Sequence, residues 1–156
     1  MAKLLEAGDK APDFIMPTDG GGQVSLREFK GKPVVLYFYP KDDTSGCTKE
    51  AIGFSEQAKA FAKLGATVIG CSKDSVVSHD KFKQKHDLTI RLAADVDGKV
   101  CAAYGTWVEK SMYGRKYMGI ERATFLIGGD GKIKEIWHKV KVPGHVDEVL
   151  AAAKAL

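Results

Sequence analysis

"KPVVLYFYPKDDTSGCTKE", residues 32–50, is the stretch whose reading decides the fold. Its first eight residues are almost all β-branched, aliphatic or aromatic, the pattern of a strand buried on both faces. Turn-forming residues follow, and then helix formers. Asp43, Thr44 and Ser45 are all good capping residues, so a helix is predicted to begin at or just before Cys47. A sulfur in that first turn meets unpaired backbone N–H groups and the positive end of the helix dipole, and both favour thiolate over thiol. The plainer reading makes Cys47 a small buried hydrophobe. Its neighbours Ser45, Gly46, Thr48 and Lys49 do not read as a core segment, which favours a reactive sulfur.

Outward from this stretch the chain alternates strands and helices. Ala51, Phe54, Ala58 and Phe61 recur at helical spacing, predicting one helix that stops at Gly65. "ATVIGCS" (66–72) is a second buried strand, and "SVVSHDKFKQKHD" (75–87) a polar helix. "TIRLAAD" (89–95) reads as a short strand and "DGKVCAAYG" (97–105) as a short helix. "ATFLI" and "KIKEIWH" flank "GGDG" (128–131), a hairpin signal, and "HVDEVLAAAKAL" closes the chain as a helix. These elements imply an α/β fold, a mixed central sheet with helices on both faces. Sites in such sheets form beyond the carboxyl ends of the parallel strands, where Cys47 falls.

At 156 residues the chain is expected to form a single domain over 1–156. No apolar run is long enough to cross a membrane, and the start lacks the pattern of a secretion signal. Three widely spaced cysteines disfavour a disulfide framework and fit a reducing, cytoplasmic setting. The net charge of +4 is mild, and "GKIKEIWHKVKV" reads as the wet face of a strand, so no nucleic-acid partner is expected. Asp42 and Asp43 are expected to be solvated or capping. His79, His86, His138 and His145 lack close metal-ligand spacing and are expected at the surface or in the core, so no metal is expected. Trp107, Tyr104 and Phe54 either line a cleft or fill the core.

Other thiol chemistries fit poorly. A thioredoxin-type site needs a second cysteine three residues away, but those positions hold Thr44 and Glu50. A cysteine phosphatase needs an arginine six residues on, where Gly53 stands. A papain-like site needs a histidine base, for which there is no local signature.

The spacing Pro40-x-x-x-Thr44-x-x-Cys47 fits another pattern. With "GDKAPDF", "SLREFKGKPVVLYFYP", "DGKVCAAYG" and "ERATFLIGGDGKI", the chain resembles the Q-type peroxiredoxins, or bacterioferritin comigratory proteins, from about residue 7 onward. The resemblance implies a thioredoxin-like fold with an N-terminal peroxiredoxin-type extension. It implies reduction of hydrogen peroxide and organic hydroperoxides through a cysteine, without a cofactor. Cys47 then matches the peroxidatic cysteine, which becomes a sulfenic acid. Thr44 matches the residue that orients peroxide and sulfur, and Pro40 the residue that shields the site. Arg122 matches the arginine that enters from a later strand, with a surface pair to Glu121 as its alternative fate. Glu50 is expected to support the arginine.

Magnitudes rank these roles. A free thiol is only ~3% ionised at neutral pH, so full ionisation gains at most roughly thirtyfold. Aligning the O–O bond and stabilising the departing oxygen must supply the rest.

One departure from the family pattern matters. Many members carry a resolving cysteine five residues after the first, where this chain has Ile52, and "SVVSHDKFKQKHD" holds none either. Cys71 and Cys101 stand as candidate resolving partners, each with burial as the plainer reading. A one-cysteine cycle is therefore expected, recycled by an external thiol such as thioredoxin, glutaredoxin or glutathione, in a monomer or weak dimer. The alternative is a redox-sensing or chaperone-like binding protein switched by Cys47 oxidation.

Overall fold

The structure is a computed structural model that describes residues 4–156. Ile15–Pro17 (β1) and Gln23–Ser25 (β2) form a short antiparallel hairpin, the N-terminal extension. Val34–Phe38 (β3) follows, buried at every residue as the apolar run predicts. Its side chains alternate in the period-2 manner of a strand. Val34, Leu36 and Phe38 enter one core, while Val35, Tyr37 and then Tyr39 enter the other.

Thr67–Ser72 (β4) lies parallel to β3, and Arg91–Ala94 (β5) lies parallel to β4. Trp107–Met112 (β6) and Arg115–Ile120 (β7) form a separate hairpin. Ala123–Ile127 (β8) returns antiparallel beside β3, and Ile133–Trp137 (β9) pairs antiparallel with β8. The central sheet therefore runs β5-β4-β3-β8-β9, mixed as expected.

Ser45–Glu56 (α1), Ala58–Lys63 (α2), Val76–His86 (α3) and His145–Lys154 (α5) send Phe54, Phe61, Phe82 and Val149 into the core that holds Val35 and Tyr37. Lys99–Ala103 (α4) and the β1–β2 hairpin cover the opposite core with Cys101, Met16 and Val24. Helices thus lie on both faces. The single helix expected over 47–64 is instead two, broken at Gln57, whose N–H bonds back to Gly53 O. Gly65 ends the second at φ 74°, the left-handed stop its position implied.

Gly70 on β4 faces Tyr37 across the ladder. A Cβ there would lie 2.8 Å from the Tyr37 ring carbon bearing the hydroxyl and 3.1 Å from a Leu92 methyl. The Tyr37 ring stacks on Phe54 at 4.6 Å between centroids, so it has little room to retreat. Gly70→Ala is predicted to destabilise the fold by about 1–3 kcal/mol, the range for overpacking a dense core. Urea unfolding against wild type checks it, and an unchanged midpoint would refute the packing account.

Candidate active site

Topology assembles the site. The loop after β3 delivers Pro40 and Thr44 at the carboxyl end of the parallel strands. α1 then opens with Thr44 at its N-cap position and Cys47 as its third residue. Because β8 runs antiparallel to β3, its start lies beside the end of β3, with Ala123 opposite Phe38. Arg122, one residue earlier, is thereby brought from 75 positions away onto Cys47.

The contacts are specific. One Arg122 nitrogen (Nη2) lies 3.3 Å from Cys47 Sγ, and the other (Nη1) donates to Glu50 Oε1 at 2.7 Å. Glu50 is three residues after Cys47, so both side chains share a helix face. The planar fork of arginine fits two acceptors so placed, which the point charge of lysine would not. Cys47 is 1% exposed and Glu50 fully buried. Burial pushes the Glu50 carboxyl up to about 7, against the pull of the adjacent Arg122. Its second oxygen, Oε2, has no protein partner among the described residues.

Gly46 gives the guanidinium room, since a Cβ there would meet Nη2 at 3.2 Å. Among the described residues no side chain caps the start of α1. Its first amides therefore lack a side-chain acceptor. Thr44 differs from expectation here. Its hydroxyl donates to Lys41 O at 2.9 Å instead of capping the helix. Pro40 is exposed.

The structure decides several readings that the sequence left open and corrects one. Arg122 does not pair with Glu121, which instead meets His138 Nδ1 at 2.9 Å. Cys71 and Cys101 reach the same end of the sheet as Cys47 but lie in the opposite core, so the sheet stands between them and the Cys47 sulfur. As folded, neither is placed to resolve it. They adjoin each other and Asp95, all buried, and burial pushes the Cys71 thiol well up. Asp42, expected to be solvated, is buried. Asp43 remains exposed and bonds Lys85 and His86. Phe54 and Tyr104 are core, while Trp107 is half-buried under the Lys73 ammonium.

Sequence reading did not single out Lys110, half-buried on β6. Burial and then the Arg122 charge hold its ammonium below the ordinary lysine range. The β6–β7 hairpin was unrecognised, so nothing in the sequence directed attention to it.

Comparison with known proteins places the chain as a whole. Residues 7–136 match the AhpC/TSA family. A Bcp-named protein of Coxiella burnetii is 55% identical, over 94% of this chain and 97% of its own length. Peroxiredoxin Bcp of Bacillus subtilis is 48% identical over 96% of each chain. Among solved structures, a cysteine-to-serine mutant of Xylella fastidiosa PrxQ superposes with a TM-score of 0.93 at 40% identity, covering 99% of this chain and 98% of that one. Xanthomonas campestris peroxiredoxin Q gives 0.87 at 46% identity, covering 91% and 90%. With its sheet, its cysteine-bearing first turn and these relatives in agreement, the chain belongs to the AhpC/TSA family as a thioredoxin-fold, Q-type peroxiredoxin, a thiol-dependent peroxidase.

Proposed function

We propose that Cys47 is the peroxidatic nucleophile, that Arg122, Thr44 and the first-turn amides of α1 stabilise the reaction, and that an external thiol completes the cycle. The single observation that carries this reading is the Arg122 fork spanning Cys47 Sγ and Glu50. The sulfur attacks one peroxide oxygen, an S–O bond forms as O–O breaks, and the departing oxygen leaves as water or alcohol after taking a proton. Arg122 opposes the charge that moves from sulfur to departing oxygen. The Thr44 hydroxyl, donating to Lys41 O, keeps lone pairs with which to accept the peroxide O–H. Pro40 forms the outer rim, and Glu50 holds the guanidinium in plane. A sensor needs only an oxidisable sulfur, and the fork would be surplus to it.

Recycling follows from the same geometry. Ile52 occupies one family resolving position, α3 has no cysteine, and Cys71 and Cys101 face the other core. A small thiol such as glutathione, or a thioredoxin or glutaredoxin, therefore reduces the sulfenic acid, in a reducing compartment such as the cytoplasm. A monomer or weak dimer suffices, since every group named comes from one chain.

Three outcomes test this reading. Intact mass after one equivalent of peroxide should show one added oxygen on Cys47; a fast loss of two hydrogens at every protein concentration would count against external recycling. Arg122→Lys should slow Cys47 oxidation about a hundredfold, the typical effect of losing an oriented charge donor. A rate near wild type would remove Arg122 from the reaction.

Glu50 gives the third, through pH. Its folded pKa is raised from 4.5 to about 7, so the native state keeps a proton that the unfolded chain releases. Stability from this group is full below the unfolded value and is lost as pH rises through about 7. The loss is on the order of 3 kcal/mol. Thermal melts of Glu50→Gln should lack this slope between pH 4.5 and 7, and identical pH profiles would show that Glu50 stays ionised throughout.

A further inference from the structure

The segment between β3 and α1 carries the reacting groups, yet it has little apolar attachment. Pro40, Lys41, Asp43 and Thr44 are exposed, and Asp43 sits at a strained φ of 60°. Asp42 alone is buried, at 8% exposure.

Its carboxylate gathers three donors. Tyr39 Oη bonds Oδ1 at 2.6 Å, while Ser78 Oγ at 2.8 Å and His79 Nδ1 at 2.7 Å meet Oδ2. The Asp42 N–H donates to Asp74 Oδ2 at 2.8 Å, an oxygen also held by Ser72 Oγ at 2.7 Å. His79 is completely buried, and its second nitrogen, Nε2, lies 2.9 Å from the Ala93 carbonyl oxygen. A carbonyl can only accept, so Nε2 carries a hydrogen. A carboxylate sits on Nδ1, so a second proton belongs to the Asp42–His79 contact. The two residues together form an ion pair, imidazolium against carboxylate, with no net charge. Losing that proton would strand a net negative charge in the core.

We infer that the buried Asp42–His79 pair is a positioning device for the reaction at Cys47, clamping the Pro40–Thr44 segment and the start of α1 onto α3 and releasing them when the pair loses its proton. The inference rests on assigning peroxide chemistry to Cys47. Neither residue touches the sulfur; they act through the backbone that places Thr44 and the first-turn amides.

The groups facing the imidazole come from every neighbouring element. Tyr39 follows β3, Asp42 lies in the loop, Asp74 follows β4, Ser78 shares α3 and the Ala93 carbonyl belongs to β5. Burial alone would lower the imidazole, but Asp42, the Ala93 carbonyl and Asp74 together hold it above its ordinary 6.5. The clamp is therefore complete below that value and is lost as pH rises through the raised one.

The test begins with the wild-type protein. Long-range nitrogen–proton NMR should find both ring nitrogens of His79 protonated at neutral pH. A bare nitrogen in the neutral protein overturns the inference. In single-turnover mixing with hydrogen peroxide, the rate of Cys47 oxidation should level off and then fall over the pH range in which His79 loses its proton. A rate that stays level through that range overturns it too.

Asp42→Asn keeps the shape and removes the charge. Its plateau rate should fall roughly ten- to a hundredfold, the effect of small misplacement of reacting groups, with a cooperative melt retained. A folded variant at the wild-type rate refutes the clamp. Should this variant fail to fold, the wild-type pH series decides alone. If wild-type Cys47 does not react with peroxide at all, the peroxidase assignment falls, while the His79 signals still report whether the pair is charged.

Discussion

The fold turns on one cation between two acids. Cys47 and Glu50 share a helix face in a core with almost no access to water, where two neighbouring anions would repel strongly. Arg122 meets both; burial works against its charge, but the contacts with Glu50 and Cys47 outweigh that and hold it above the ordinary arginine range. One guanidinium balances about one negative charge. Burial holds the Glu50 carboxyl up to about 7 against the pull of that cation. The Cys47 sulfur thus sits beside a fixed cation that is also anchored to the carboxyl. The cost of burying these groups is borne because the site needs a dry, oriented donor, not because a buried ion pair is itself a strong stabiliser.

The central sheet also partitions the cysteines. β4 presents Cys71 to the core that contains Met16 and Phe125, with its thiol 3.7 Å from the Met16 sulfur. α4 adds Cys101 to the same side. α1 approaches from the other side and carries Cys47 among Tyr37, Tyr39 and Phe54. A strand's period of two makes this separation absolute for any residue on a given face, however near its Cα lies to the site. Nearness along the sheet edge is thus a poor guide to which sulfurs can meet.

Much of this was legible in the chain, for identifiable reasons. The run at 34–38 and the "ATVIGCS" segment declared themselves because burial on both faces leaves few polar residues to blur the pattern. Gly65 and "GGDG" were readable because left-handed backbone selects glycine. The Arg122 partnership was not derivable from local pattern, since it depends on β8 pairing antiparallel with β3; only the family resemblance pointed to it. The β6–β7 hairpin was missed because its strands are half-wet on both faces and show no clean alternation, and its turn, Tyr113–Gly114, places a tyrosine at φ 52° where asparagine is usual. Asp42 was misjudged because its burial requires a histidine 37 positions away.

The burial of Asp42 has a physical meaning. Hydrophobic packing fixes a strand or a helix face well, but it has little hold on five turn residues of which four are exposed. A directional network can fix them, because each hydrogen bond constrains angle as well as distance. Here Tyr39, Asp42, Ser72, Asp74, Ser78 and His79 tie the loop to two strands and a helix. An apolar cluster of equal volume would stabilise as much and specify less, leaving Thr44 free to wander relative to the start of α1. Sequences that otherwise obey local rules break them where position matters more than stability. A buried aspartate in an exposed turn is such a break, and it lies five residues from Cys47.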